Sequence, residues 1–397
     1  VKAFLLLIFL GLLPTAAQAL SLSSDTVWRG ALEFSETVRV ERGVTLRVEP
    51  GTEIHFSGGG LEVLGHLEAR GALFSGGDWE GIQLHGGEHL LDDCRISGAR
   101  IGLLVLGGAP RLTNLEVSGN GTGIELRRQT SAEVQRCRIL DNHGVGLFLK
   151  DEARPRIQDC LIQGNARFGV YVYRSNPQVF RDNLLRANPV GLMIAYYGTD
   201  PEIGGNRFEG NEVGIQVDRA ARPVLVSNVL VDGGTGILLS RRADARIRHN
   251  RISGNRIGVQ VEYSSYPVIR ENDLAGNAMA LVLSHQSSAW ERANGEAARA
   301  AESSGRGAFG QTARQPADAE ARRPRALTGT VDAKHNWWGA AETAELTRSA
   351  GRGNPPFIHD GRDEPYFEDE GKKYPLDMVE FAPWRAAPLN PAARNTQ

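Results

Sequence analysis

A short hydrophobic alternation recurs along this chain at a nearly fixed interval. A glycine, an apolar residue, a variable residue and a second apolar residue return every 21 to 23 residues, ten times in succession. The series runs from Gly81-Ile82-Gln83-Leu84 through Gly123-Ile124-Glu125-Leu126 and Gly169-Val170-Tyr171-Val172 to Ala280-Leu281-Val282-Leu283. Its local period is 2, with no i, i+3, i+4 stripe, so it predicts strands rather than helices. About a dozen residues after each glycine, a second mark keeps phase: a small residue, a variable one and an apolar one, headed by Cys94, Asn114, Cys137, Cys160, Asn183, Asn206, Asn228, Asn250 and Asn272. A few residues later come Asn120, Asn142, Asn165, Asn188, Asn211, Asn255 and Asn277, with Gly233 in the remaining slot. Asparagine and glycine tolerate positive φ, so this column predicts a sharp bend between strands. Between tetrad and first Asn column lies a third short strand, often opened by a proline (Pro155, Pro177, Pro201, Pro223, Pro267). Proline costs least at a strand's first residue.

Three short strands per repeat predict an all-β solenoid in which each repeat buries its apolar face only against its neighbours. Equivalent strands of successive turns pair about 4.8 Å apart. The inward amides of the first Asn column can then form a hydrogen-bonded ladder. Cys94, Cys137 and Cys160 occupy the same column, where a buried cysteine behaves as a small apolar residue. Cys137 and Cys160 fall in adjacent turns, close enough in principle to bridge, whereas Cys94 is two turns from Cys137.

These columns resemble the right-handed parallel β-helix family built of PbH1 repeats. That family includes the β-helix domain of NosD-like periplasmic proteins and the carbohydrate-binding and sugar-hydrolase group. The resemblance covers roughly residues 25–284 and resumes at Gly329–Gly339. Val44-Thr45-Leu46-Arg47-Val48-Glu49-Pro50-Gly51-Thr52-Glu53-Ile54-His55-Phe56, Leu61-Glu62-Val63 and Asp78-Trp79-Glu80-Gly81-Ile82 look like its usual opening turns. His335-Asn336-Trp337-Trp338-Gly339 and Phe381-Ala382-Pro383-Trp384 are similar to its closing segments. The resemblance implies a right-handed, single-stranded parallel β-helix of about 11 to 13 turns. The closing tryptophans then cap an edge that would otherwise invite aggregation; a sugar-stacking platform is the alternative.

The first 19 residues have the form of a secretory signal. Lys2 gives the charged start, Ala3–Leu13 an apolar run too short to span a bilayer, and Ala17-Gln18-Ala19 the small-x-small cleavage site. A periplasmic or secreted location without a membrane anchor is expected, with cleavage after Ala19. Residues 20–284 form the predicted β-helix, 285–328 a low-complexity insertion and 329–397 the last turn and cap. The Ala/Arg/Glu/Gly-rich stretch Glu291–Arg325 lacks a strand period, with partial helix expected around Glu291–Ala301. Residues 340–373 have the composition of an irregular surface loop.

Composition fits: 41% hydrophobic residues, 7% aromatic and 47 glycines suit a turn-rich globular β protein. A net charge of −2 argues against a general nucleic-acid binder. No cofactor is implied, and a monomer is expected.

Candidate chemistry falls in the variable positions. The third residue of each tetrad points outward, which places Phe148, Tyr171 and Met193 on three neighbouring turns as an exposed apolar patch. Five positions after each glycine, the bends carry Arg128, Asp151, Arg174, Tyr196, Arg219, Arg241, Tyr263 and His285. Guanidinium groups pair with carboxylates and tyrosine rings stack on sugars. Arg128, Phe148, Asp151, Tyr171, Arg174, Tyr196, Arg219, Arg241 and Tyr263 are therefore candidates for a groove holding an acidic polysaccharide. The alternative is a solvated bend, with the Phe148 patch covered by the insertion. No clustered Asp with a basic partner, Asp set with His, or Asp-Pro-His-Asp run is present, so the catalytic residues are unassigned. Asp92-Asp93 suits a solvated turn. His85 and His89 straddle a Gly-Gly bend, so no metal site is assigned. NosD-like proteins are associated with copper-site maturation, but three methionines and three ladder cysteines supply few soft ligands. The expected function is a non-catalytic binding or scaffold protein for cell-envelope or extracellular polysaccharide. The alternatives are a polysaccharide lyase, C5-epimerase or glycoside hydrolase, and a NosD-like accessory protein for a periplasmic metalloenzyme.

Overall fold

A computed structural model describes residues 19–295, 325 and 327–389. The chain winds into a right-handed parallel β-solenoid of about 12 turns, with three strands per turn. The tetrads build a 14-stranded sheet from Leu20–Leu22 to Ile358–His359. A second sheet of 14 strands, from Thr26–Trp28 to Met378–Glu380, holds the proline-led segments, and the third, of 11 strands, follows the first Asn column. Pairing is in register from turn to turn: Leu147 lies beside Val170 and Val170 beside Leu192. Inward residues of all three sheets, such as Leu126, Val134 and Ile139, are fully buried in one continuous core. At its N-terminal end the core closes with an aromatic run, Trp28, Phe34, Phe56 and Trp79, whose successive centroids lie 5.0, 5.4 and 4.9 Å apart.

The amide ladder is present. From Cys160 onward each first-column backbone N–H donates to the next turn's Asn Oδ1, through Asn183, Asn206, Asn228, Asn250 and Asn272 to Asn336. Cys94, Cys137 and Cys160 occupy equivalent inward slots as buried free thiols. The Cys137 and Cys160 thiols donate to the same type of backbone carbonyl, two residues back, that several Asn Nδ2 groups take elsewhere. Asn114 does not belong to this column. Glu116 pairs with Arg95, which aligns Leu115 with Cys94 and leaves Asn114 exposed at φ 55°. The rule "small residue first" was off by one here because this turn places an apolar residue in the slot.

The second Asn column also differs from expectation. Its members are a second buried ladder: Asn120 Nδ2 donates to Asn142 Oδ1 and Asn142 Nδ2 to Asn165 Oδ1, at 3.1 and 2.9 Å. Positive φ falls on the residue before each, as at Gly119, Asp141, Gly164 and Ala187. The asparagines are selected for their buried amides, not for turn conformation.

This ladder accounts for the tetrad glycine. A Cβ on Gly146 would lie 2.7 Å from Asn165 Nδ2 and 2.7 Å from the Gly169 carbonyl, and most other tetrad glycines face the same contacts one turn on. Apart from Gly81, whose φ is 96°, the tetrad glycines are therefore required by close approach, not by backbone conformation.

The C-terminal region is ordered rather than an irregular loop. It holds an α-helix, Ala340–Arg348, and a hairpin of Tyr366–Asp369 with Lys372–Pro375. Trp338 is buried against Phe357, and Phe381 packs on Trp384 at the closing end. Residues 288–295 are helical; of the expected insertion, residues 296–324 and 326 lie outside the described residues, as does the expected signal segment up to residue 18.

Candidate ligand-binding face

The corner that ends each strand of the first sheet is made by left-handed residues. Arg128, Asp151, Arg174, Tyr196, Arg219, Arg241, Tyr263 and His285 have φ between 46° and 93°. Such a conformation costs a non-glycine residue about 1–2 kcal/mol. Turn-to-turn backbone bonds offset it, for example Gln129 N–H to Asp151 O at 3.0 Å and Glu152 N–H to Arg174 O at 2.9 Å. The repeat thus lines these side chains up along one ridge.

The ridge divides into three environments. Arg128, Asp151 and Arg174, with Gln129 and Glu152, line a shallow cavity of about 360 Å³. Tyr196 is buried beside Tyr173, centroids 5.2 Å apart, with the Arg174 guanidinium 5.9 Å from its ring. Arg241 makes a paired contact with buried Asp218, and Arg219 stands 3.9 Å from the same carboxylate. Arg241, Tyr263 and His285 of the ridge reach a further cavity at the C-terminal hairpin.

Phe148, Tyr171 and Met193 lie on the outer face as expected, but the patch is not exposed: they are 7%, 2% and 7% accessible. Phe148 and Tyr171 stack at 5.1 Å, and Val145, Ala195, Phe168, Tyr173 and Val190 complete a second apolar cluster outside the main core. Burial pushes the Tyr171 hydroxyl well above its ordinary range. Beside the cluster, buried Glu125 holds Arg127 and Lys150, and the Lys150 ammonium sits 5.2 Å from the Phe148 ring. Most of the insertion expected to cover this patch, residues 296–324 and 326, falls outside the described residues.

A cavity of about 650 Å³ lies between the ridge and the C-terminal hairpin. Its walls are Arg241, Arg242, Glu262, Tyr263 and His285 from the turns, Trp290 and Glu291 from the helical stretch, and Phe367, Glu368 and Asp369 from the hairpin. Tyr263 stacks on His285 at 5.3 Å, and Phe367 meets His285 edge-on at 6.0 Å. Trp290 Nε1 donates to Asp369 Oδ2 at 2.6 Å. Glu262 accepts from Gln260 Nε2 at 2.6 Å. Desolvation raises the Glu262 carboxyl above its ordinary range, against the Gln260 bond and the pull of His285 and Arg241. Glu262 belongs to a column one residue before the ridge, Asp218, Ser240, Glu262 and Ser284 in register, which sequence reasoning missed. The fourth position after each tetrad glycine carried the clue: it changes from the basic Arg127 and Lys150 of earlier turns to an acidic or hydroxyl residue in each of the last four turns. Trp290 and the hairpin carried none, because their proximity comes from chain return.

The other candidates have structural roles. His89 is buried, with Nδ1 accepting from Leu67 N–H and Nε2 2.6 Å from Gly86 O, while His85 faces Glu62 at 3.4 Å. Asp92 accepts from Thr113 and Asn114, and these bonds, led by Thr113, hold its carboxyl below the ordinary range.

The description "Right handed beta helix region" matches residues 52–208. Over that stretch the chain is similar to the right-handed β-helix family, in keeping with its parallel β-solenoid fold. A second family, described as "Periplasmic copper-binding protein (NosD)", matches residues 148–297 of this β-helix protein. No curated protein matches it. The crystal structure of the Dettilon tailspike protein aligns with 66% of this chain at 15% identity and a TM-score of 0.49; the β-helix covers 62% of that chain, less than two thirds. The donor set does not fit copper: among the described residues no three His, Cys, Asp or Glu side chains converge on a metal position. The cysteines face the core, and Met193, Met279 and Met378 lie in separate strands. Among the described residues no helix is long and apolar enough to cross a membrane.

Proposed function

We propose that this β-helix is a non-catalytic glycan-binding protein of the cell envelope or extracellular space, acting as a monomer. The observation that carries this reading is the 650 Å³ cavity, where an exposed Tyr263 ring and the Phe367 and Trp290 rings stand beside hydrogen-bonding carboxylates and arginines. Flat aromatic faces with polar groups at their rims suit sugar rings, which present apolar faces and hydroxyl edges. The Arg128, Asp151 and Arg174 corner lies on the same ridge and offers an extended chain further contacts, with Arg219 and Tyr196 between. The secretory form of residues 1–19 and the match to a family described as periplasmic support an exported location.

A catalytic reading is favoured by one observation. Glu262 is a desolvated carboxyl held above its ordinary range, and Asp369 lines the same cavity. Glycoside hydrolysis uses one carboxyl as acid and a second as base or nucleophile. Incubation with a glycan panel separates the two readings. Retention on immobilised glycan with no new reducing or unsaturated ends is the expected result, and such ends, lost in Glu262→Gln, would overturn the non-catalytic reading.

A further inference from the structure

The cavity's charge points to a narrower ligand class than the acidic polysaccharide expected from the ridge arginines. Arg241 is matched by Asp218, and Arg242 lies 3.9 Å from Glu291, which also receives Arg325 at 3.0 Å. The guanidinium charges lining the cavity are thus already faced by carboxylates. Glu262, Glu368 and Asp369 line the same space, and among the described residues none of the three makes a close ion pair, although Arg241 and His285 act on Glu262 at longer range and Lys373 and Lys372 lie opposite Glu368 and Asp369 across the hairpin. Aromatic rings stand around these acids: Tyr263, 51% exposed, stacked on His285, and Phe367 stacked on Tyr374 at 5.7 Å. Trp290 is oriented by its bond to Asp369.

We propose that this cavity binds a protonated amine, presented by a glycan whose sugar units carry free amino groups. The proposal rests on the glycan-binding reading and adds the charge of the ligand. A cation over aromatic faces is attracted by their quadrupoles, the more so when desolvated. The carboxylates supply the opposite charge, and a cation seated there would favour the ionised form of Glu262 and so oppose the desolvation that now raises it. A uronate chain would set like charges together in a partly dry space. A neutral glycan would add no counter-charge to Glu262 beyond the longer-range pull of Arg241 and His285. At about 650 Å³ the cavity is within the range of small-ligand sites.

The test is calorimetric titration of the full chain with four oligosaccharides of equal length: β-1,4-linked glucosamine, its fully N-acetylated counterpart, a neutral glucan and an oligogalacturonate. The glucosamine oligomer should bind at least tenfold more tightly than the others, and Glu262→Gln/Glu368→Gln should remove that preference. Tyr263→Ala, at an exposed position that does not threaten folding, should weaken binding at least threefold. Equal or tighter binding of the acetylated, neutral or acidic oligomer overturns the amine assignment while leaving glycan binding intact. Binding of none overturns both. A glucosamine preference that survives in both variants shows that the amine is recognised elsewhere, which also overturns the assignment.

Discussion

Replacing Asn206 with alanine should cost more than any surface change in this protein. Asn206 is 1% exposed, and its Nδ2 donates to Phe180 O, Gly204 O and Asn228 Oδ1 at 3.0, 3.0 and 3.2 Å. Its Oδ1 accepts from the backbone N–H and Nδ2 of Asn183, at 3.1 and 3.0 Å. Alanine orphans the Asn183 N–H, at about 1–3 kcal/mol, and removes the two N–H donors that the amide shares among three acceptors, worth about 1 kcal/mol each, for a sum of about 3–5 kcal/mol. Asn206→Cys is the built-in comparison, because cysteine fills this slot at Cys137 and Cys160 and its thiol donates to equivalent carbonyls. Cysteine should cost about half as much, since only the stronger acceptor is lost. A solenoid distributes stability among neighbouring repeats, so the loss should be local. Hydrogen exchange should therefore accelerate in peptides spanning 179–231, with little change before Gly102, and urea melts should shift to lower midpoint. An alanine variant within about 0.5 kcal/mol of wild type, or a cysteine variant as costly as alanine, would refute the ladder as the source of stability.

Four further outcomes are expected. Gly146→Ala should destabilise by about 1–3 kcal/mol in a thermal melt through overpacking, whereas Gly198→Ala, with nothing within 4 Å of its new Cβ, should show only the strain of its positive φ. Thiol titration should find no accessible thiol in the native protein and three after denaturation, and one after denaturation would show that Cys137 and Cys160 bridge. Arg325→Ala strips a buried guanidinium from Asp244 and Glu291, and should increase proteolysis around 286–295 with a loss of about 3–5 kcal/mol there. Glu262 has its folded pKa raised, so the native state holds its proton more tightly than the unfolded chain, and stability falls as pH rises from the unfolded value through the folded one. Glu262→Gln should flatten that part of the stability–pH curve, and an unchanged slope would contradict the assigned burial.

The division between what the chain declared and what folding added follows from range of interaction. Solenoid architecture, inward and outward columns and the left-handed corner from Arg128 to His285 were legible because each turn repeats the same local chemistry. A pattern sampled ten times averages out the noise of any one turn. Single turns were less secure: Asn114 lay one residue from its slot because Leu115 filled it. The tetrad glycine and second Asn column were visible as a pattern, but their cause was not. They contact each other one turn apart, and only stacking brings Gly146 against Asn165. The cavity at the C-terminal hairpin was illegible for the same reason at longer range. Trp290 and the hairpin at Phe367 and Asp369 lie far from Glu262 and Tyr263 in sequence and belong to no repeat. Sequence alone determined the helix and its ridge; tertiary return of the C-terminal segment decided where the ridge becomes a pocket and gave that pocket its carboxylates, because charge and enclosure depend on neighbours that a periodic pattern does not name.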